Sequence, residues 1–192
     1  MESGRDWLDE IEEIKDPWFY ISSGSGWYHY EGSWLTHLEI PFDYIRHYIG
    51  RLEKPQVVAP SGLDMLSVGG QQGWEEKYAG RAYSVIDELR VEVRTSAEEC
   101  RQMARIMAER LNRSRAPFAV MLPTQGWSSL DREGKALYDP EADLAFSEEL
   151  RSRLDDPGRV READAHLYSA EFAESCVAAF LDVWREHEEH RG

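Results

Sequence analysis

The chain has 192 residues, 42% hydrophobic and 31% charged, with 37 acidic against 22 basic side chains and a formal charge of −15. That length suits one domain, large enough to bury most of its surface without a metal or disulfide staple. The acidity argues against a general binder of phosphate backbones and against docking on anionic lipid, so neither nucleic acid nor membrane is an expected partner. No apolar run approaches the roughly 20 residues of a membrane helix. The acidic stretch Met1–Lys15 lacks an apolar signal core. The only cysteines, Cys100 and Cys176, form no metal-ligand cluster. A reduced, cytoplasmic protein is the expected setting.

Met1–Asp16 is acidic, with Trp7, Leu8, Ile11 and Ile14 in an amphipathic trace, and is expected as a short helix. Four of the seven tryptophans lie in the first 34 residues, with Tyr20, Tyr28 and Tyr30 among them. Such aromatic density reads as a lid or a subunit interface, or as an aromatic ligand pocket. Trp18–Ser22 reads as a buried strand, followed by the small-residue turn Ser23, Gly24, Ser25 and Gly26. Phe42–Leu52 reads as a helix. Gln56–Ala59 reads as a strand ended by Pro60, and Gly69–Gly73 as a mobile loop.

Ser84–Arg94 contains at least one expected strand. Thr95 then offers an N-cap, with Glu98 at the capping-box position. Cys100, Met103, Ala104, Met107 and Leu111 share one apolar face of the helix that follows. Phe118–Leu122 is a continuous apolar run, as in a parallel strand covered on both faces. Pro123–Tyr138 reads as a polar loop. Asp139 and Pro140 open a helix running to about Leu154. Arg159–His166 reads as a strand. Ser169 caps a last helix carrying Phe172, Cys176, Val177, Phe180 and Trp184, and the charged end from Arg185 is expected to fray. Strands and helices alternate, so the expected fold is α/β: a three-layer, Rossmann-like domain with a mostly parallel sheet and helices on both faces.

Ligands of open α/β sheets lie beyond the carboxyl ends of the strands. The candidates there begin with the Ser23–Gly26 turn, whose backbone N–H groups suit an anion. Ser61, Gly62 and Asp64 follow the second strand. Gln125, Ser128 and Asp131 offer an amide, a hydroxyl and a carboxylate in one loop, although no nucleophile elbow is present. Asp164 and His166 end the last strand, with His166 suited to proton transfer. Asp64, Asp131 and His166 lack the spacing of a divalent-metal set, so no metal is assigned.

Five segments carry a resemblance: PSGLDM (Pro60–Met65), VRTSAEE (Val93–Glu99), AERLNRSRAPFAVMLPTQGWSSLD (Ala108–Asp131), ALYDPEAD (Ala136–Asp143) and DAHLYSAEFAE (Asp164–Glu174). In this order they resemble the C-terminal domain of the Tm-1-like family, a largely uncharacterised family, over Trp34–Val183. Family members usually carry two domains. The resemblance implies that the first, Rossmann-like domain, with the ATP site of the plant member, is not in this sequence. The family's His-Asn-Pro before the VRTSAEE position stands here as Ile86, Asp87 and Glu88. ATP binding is therefore not carried over, and the cofactor stays open.

The resulting organisation is an acidic, aromatic-rich extension (1–33), the Tm-1-like α/β domain (34–185) and a charged tail (186–192). The expected function is a small-molecule-binding domain or enzyme subunit acting on a polar anionic metabolite, with lyase or hydrolase chemistry on an oxo acid. Asp64 and His166 are its catalytic candidates. Ser23, Gly24, Ser25, Gly26, Ser61, Gly62, Gln125, Ser128 and Asp131 are its ligand contacts. The alternative is a non-catalytic protein-interaction module, related by resemblance to the plant inhibitor of viral replication. A homodimer, or a separately encoded partner holding the other domain, is the expected assembly.

Overall fold

A computed structural model of the chain describes residues 55–68 and 73–191. The elements expected before residue 55 lie outside them, as do Ser23, Gly24, Ser25 and Gly26 and most of the Gly69–Gly73 loop. The described elements are β1 (Gln56–Val58), β2 (Met65–Ser67), α1 (Trp74–Lys77), β3 (Tyr83–Val85), β4 (Val91–Arg94), α2 (Ala97–Leu111), β5 (Phe118–Pro123), α3 (Pro140–Arg153), a 3-10 turn (Pro157–Arg159), β6 (Val160–Ala163) and α4 (Ala170–Arg191).

One sheet is parallel, in the order β1-β5-β6, with Val57 opposite Ala119 and Met121 opposite Arg161. Side chains alternate across a strand, so each strand feeds two cores. Val58, Val120, Leu122 and Val160 face α2 and α3, where Met103, Met107, Leu111, Phe146 and Leu150 cover them. Val57, Ala119, Met121 and Ala163 face α4, covered by Phe172, Cys176, Phe180 and Val183. Both crossovers run in the same direction through the sheet, and α2 and α3 accordingly share one face. The result is an α/β domain with helices on both faces. Cys100 and Cys176 are buried free thiols on those helices.

The second sheet is antiparallel, in the order β2-β4-β3, with its own core of Leu66, Val68, Tyr78, Val91 and Val93. Only part of it was legible in sequence. Met65–Ser67 is too short to show a period, and Ser84–Arg94 turns out to be two strands of a hairpin. Asp87 makes that turn, its carboxylate accepting from the Leu89 and Arg90 amides.

Three expected boundaries shift. The cap of α2 is Ser96, whose hydroxyl accepts from the Glu99 amide while the Glu99 carboxylate accepts from the Ser96 amide. Thr95 points inward instead and donates to the Leu63 carbonyl at 2.8 Å. The last strand stops at Ala163, because the chain turns there to meet the loop after β5. The end of α4 stays helical to Arg191. Arg159 pairs with Glu186 there, and Arg161 with Asp182, tying the helix to the strand beneath it.

Candidate functional site

The carboxyl ends of β1, β5 and β6 lie side by side, so the loops that leave them meet. After β1, Pro60 to Leu63 form a tight turn, closed by the Leu63 amide donating to the Pro60 carbonyl at 3.1 Å. Gly62 takes the positive φ of 72° that its third position needs. The turn buries Ser61 and aims Asp64 inward. The end of β4 holds it there. The Thr95 amide and Arg94 Nη1 both donate to the Asp64 carbonyl, at 3.0 and 2.8 Å.

The loop after β5 wraps around this turn. Gly126 has φ 108°, and a Cβ there would sit 1.6 Å from the Asp131 carbonyl oxygen. Only glycine permits that approach. The Trp127 amide donates to Asp131 Oδ2 at 2.9 Å, and Trp127 packs edge-on against Phe146. Ser128 then places its hydroxyl 2.6 Å from Asp64 Oδ2 and accepts from the Leu130 amide. Asp64 and Asp131 are fully buried, and Ser128 is 2% exposed.

The loop after β6 closes the arrangement. Thr124 and Gln125 donate from their amides to the Ala163 and Ala165 carbonyls, and Leu167 donates to the Gly126 carbonyl. Asp164 receives the Thr124 hydroxyl and the Gln125 side-chain amide, each at 3.1 Å. His166 accepts at Nδ1 from the Tyr168 amide, 3.2 Å away. Its Nε2 lies 3.0 Å from the Ser128 carbonyl. A carbonyl can only accept, so this geometry fits the neutral ring with its proton on Nε2. Asp164 and His166 do not sit on one extended face, because the chain turns between them.

The structure thus links Ser128, Asp64 and His166 and places Asp131 beside them. Gln125 stands at the outer edge with Asp164. Sequence reasoning missed two members of the cluster. Arg94 is 4% exposed and pairs with Asp143 at 2.5 Å while donating to the Asp139 carbonyl at 3.0 Å. It ends the strand Val91–Arg94, all four residues of which are buried, and a buried charge needs a partner. Asp143 lies one turn into α3, and no local pattern marks it as a partner of Arg94.

Three carboxyls therefore surround one buried guanidinium. Burial pushes the Asp64 carboxyl up to about 6, helped by Asp131 and opposed by the Ser128 hydrogen bond and by Arg94. Burial also pushes Asp143 up, to about 8, with Asp131 adding to the rise and Arg94 opposing it. Asp64 Oδ1 and Asp131 Oδ1 have no hydrogen-bond partner. With more carboxylates than cations in a dry cluster, proton uptake is the response expected of it. Among the described residues no group of three or more His, Cys, Asp or Glu is placed to hold a metal. No described helix is long and apolar enough to cross a membrane.

In front of the network lies an open cleft of about 680 Å³ lined by Thr124, Gln125, Arg132, Glu133, Tyr138 and His166. Arg132 is exposed and makes no ion pair among the described residues. The buried acids do not line it; the network reaches the cleft through His166, whose Nε2 meets the Ser128 carbonyl, and through Arg132, the residue after Asp131. Ser128 is no free nucleophile, since its proton is held by Asp64 rather than by an imidazole.

A model of the uncharacterised protein family UPF0261, C-terminal domain, matches residues 47–184. The chain is 37% identical over 135 residues to a UPF0261 protein of Brucella melitensis, covering 70% of this chain and 32% of that one. It is 33% identical over 137 residues to a UPF0261 protein of Rhizobium meliloti, covering 70% and 34%. It is 34% identical over 136 residues to the ToMV resistance protein Tm-1(GCR237) of Solanum lycopersicum, covering 69% and 18%. The chain spans about a third of those bacterial relatives and less than a fifth of the tomato protein.

Proposed function

The chain belongs to the uncharacterised protein family UPF0261 through its C-terminal domain, and from that premise we propose that it is a small-molecule-binding domain whose cleft takes a polar anionic metabolite, an oxo acid being the class to test first. The observation that carries this reading is the position of the polar cleft. It opens at the carboxyl ends of β5 and β6, where parallel sheets bind their ligands. Arg132 supplies the cation for a carboxylate. Thr124, Gln125 and Tyr138 supply hydroxyl and amide contacts, and His166 offers its ring edge.

Asp64, Ser128 and Asp131 act in this reading as the buried support of the cleft wall. They fix the loop that carries Arg132 and the carbonyl that orients His166. Thermal-shift titration with oxo acids, sugar acids and inorganic phosphate tests the reading. At a hundredfold excess over Kd, a ligand selective for the folded state adds about 2.7 kcal/mol of stability. The expected result is a raised midpoint with at least one carboxylate, abolished by Arg132→Ala. A midpoint unmoved by any anion at millimolar concentration would sink the proposal.

A further inference from the structure

A second, smaller pocket of about 140 Å³ lies beside the polar cleft, between the end of β5 and the first turns of α3. Thr124 and Tyr138 line both, so the two spaces adjoin. Pro140, Asp143, Leu144 and Ser147 recur at i, i+3, i+4 and i+7, which turns one face of α3 to the pocket. Trp127 backs it, 2% exposed and packed edge-on against Phe146 at 5.1 Å. Tyr138 and Leu144 stand at the opening, both exposed. Leu122, Pro123 and Pro140 complete a mostly apolar wall. Apart from the Tyr138 hydroxyl, the polar side chains in that wall are engaged elsewhere. Asp143 pairs with Arg94, and Glu162 with Arg151 at 2.9 Å. The Thr124 hydroxyl donates to Asp164 at 3.1 Å, and the Ser147 hydroxyl to the Leu144 carbonyl at 3.0 Å. The pocket therefore calls for neither a cation nor an anion. What it offers a ligand is carbon surface.

We infer that this pocket is the subsite for an apolar arm of the ligand, so that the chain selects carboxylates with a branched aliphatic or aryl arm over those with a methyl or polar one. The inference rests on the carboxylate reading of the cleft and narrows it. Size sets the arm: an apolar cavity of about 150 Å³ holds one benzene, so this pocket takes roughly six carbons. The border suits a ligand that spans both spaces, because Tyr138 has a ring for the arm and a hydroxyl for the polar end. Each methylene that leaves water strengthens binding about fourfold. A carboxylate held by Arg132 with its arm in water forgoes that gain. A sugar acid fits poorly, since its hydroxyls would lose their water against a wall whose own polar groups are taken.

Isothermal titration of the full chain with three 2-oxo acids tests the subsite. Pyruvate carries a methyl arm, 4-methyl-2-oxopentanoate an isobutyl arm and phenylpyruvate a benzyl arm. The two long-armed acids should bind at least about tenfold more tightly than pyruvate. Leu144→Gln replaces the apolar rim with an amide and adds no charge to repel the carboxylate. The position is exposed and helical, so folding should survive, as circular dichroism would verify. That variant should lose most of the preference and keep the native Kd for pyruvate. Equal Kd for all three acids in the native chain would overturn the subsite while the cleft reading stands, and this is the outcome where another part of the chain already fills the pocket. A preference undiminished in Leu144→Gln would overturn it too, since the arm would then lie elsewhere. Binding of none of the three would overturn the cleft reading and the subsite together.

Discussion

Ser128 donates its hydroxyl to Asp64 across 2.6 Å, and neither residue is open to water. The two are far apart in sequence, and the bond joins the loops that leave β1 and β5. Asp64 Oδ1 is left without a partner. Ser128→Ala should therefore destabilise the domain by about 1–3 kcal/mol, since it strips the other oxygen of a buried carboxyl as well. Urea denaturation compared between the two chains measures this. An unchanged midpoint would show that the bond contributes nothing to the fold.

The pH dependence follows from the raised carboxyls. Asp64 moves from 3.8 to about 6 on folding, so the folded state holds the proton more tightly. Between those values the folded chain binds more protons than the unfolded one, and its stability falls as pH rises. Asp64→Asn keeps the shape of the protonated form and cannot ionise. Relative to this variant, the native chain should lose about 2–3 kcal/mol as pH climbs from 4 to 7. Parallel stability curves for the two chains would contradict the assignment.

Asp143 extends the same trend upward. Its shift from 3.8 to about 8 adds a loss of stability through neutral pH. A proton-uptake measurement during refolding at pH 7 should register net uptake, and less of it in Asp143→Asn. Equal uptake in both chains would remove Asp143 from the cluster's titration.

Gly126 allows no side chain. Its φ of 108° is strained for any other residue, and the Asp131 carbonyl occupies the place of a Cβ. Gly126→Ala should lower stability by about 3 kcal/mol, at the upper end of ordinary single substitutions. A midpoint within experimental error of the native chain would mean that the loop relaxes freely.

The cysteines provide an independent check of the two cores. Burial pushes the Cys100 thiol up to about 11 and the Cys176 thiol up to about 12. A bulky maleimide should leave both unmodified at pH 7 in the native chain and label both in denaturant, because only an exposed thiolate reacts quickly. Rapid labelling of either in the native state would place it outside its core.

The sequence alone determined the large elements. α2, α3, α4 and β5 are each long or uniformly apolar enough for periodicity, caps and burial to agree. Cys100, Met103 and Met107 already traced the buried face of α2, and FAVML could hardly be anything but a strand covered on both sides. The strand-end loops were legible for the same reason, since parallel strands direct their loops to one edge. Proximity in space was decided only by the tertiary structure. Thr95 offered the same capping chemistry as Ser96, and the pull of the Leu63 carbonyl chose between them. Arg94 and Asp143 are 49 residues apart, so no local pattern shows that they meet. Asp164 and His166 both read as the end of the last strand, and the loop after β5 drew each to a different partner. Local pattern sets which face of an element is apolar, because that depends on a few neighbouring side chains. Which buried charges meet depends on how the loops close over one another, and those contacts are long-range.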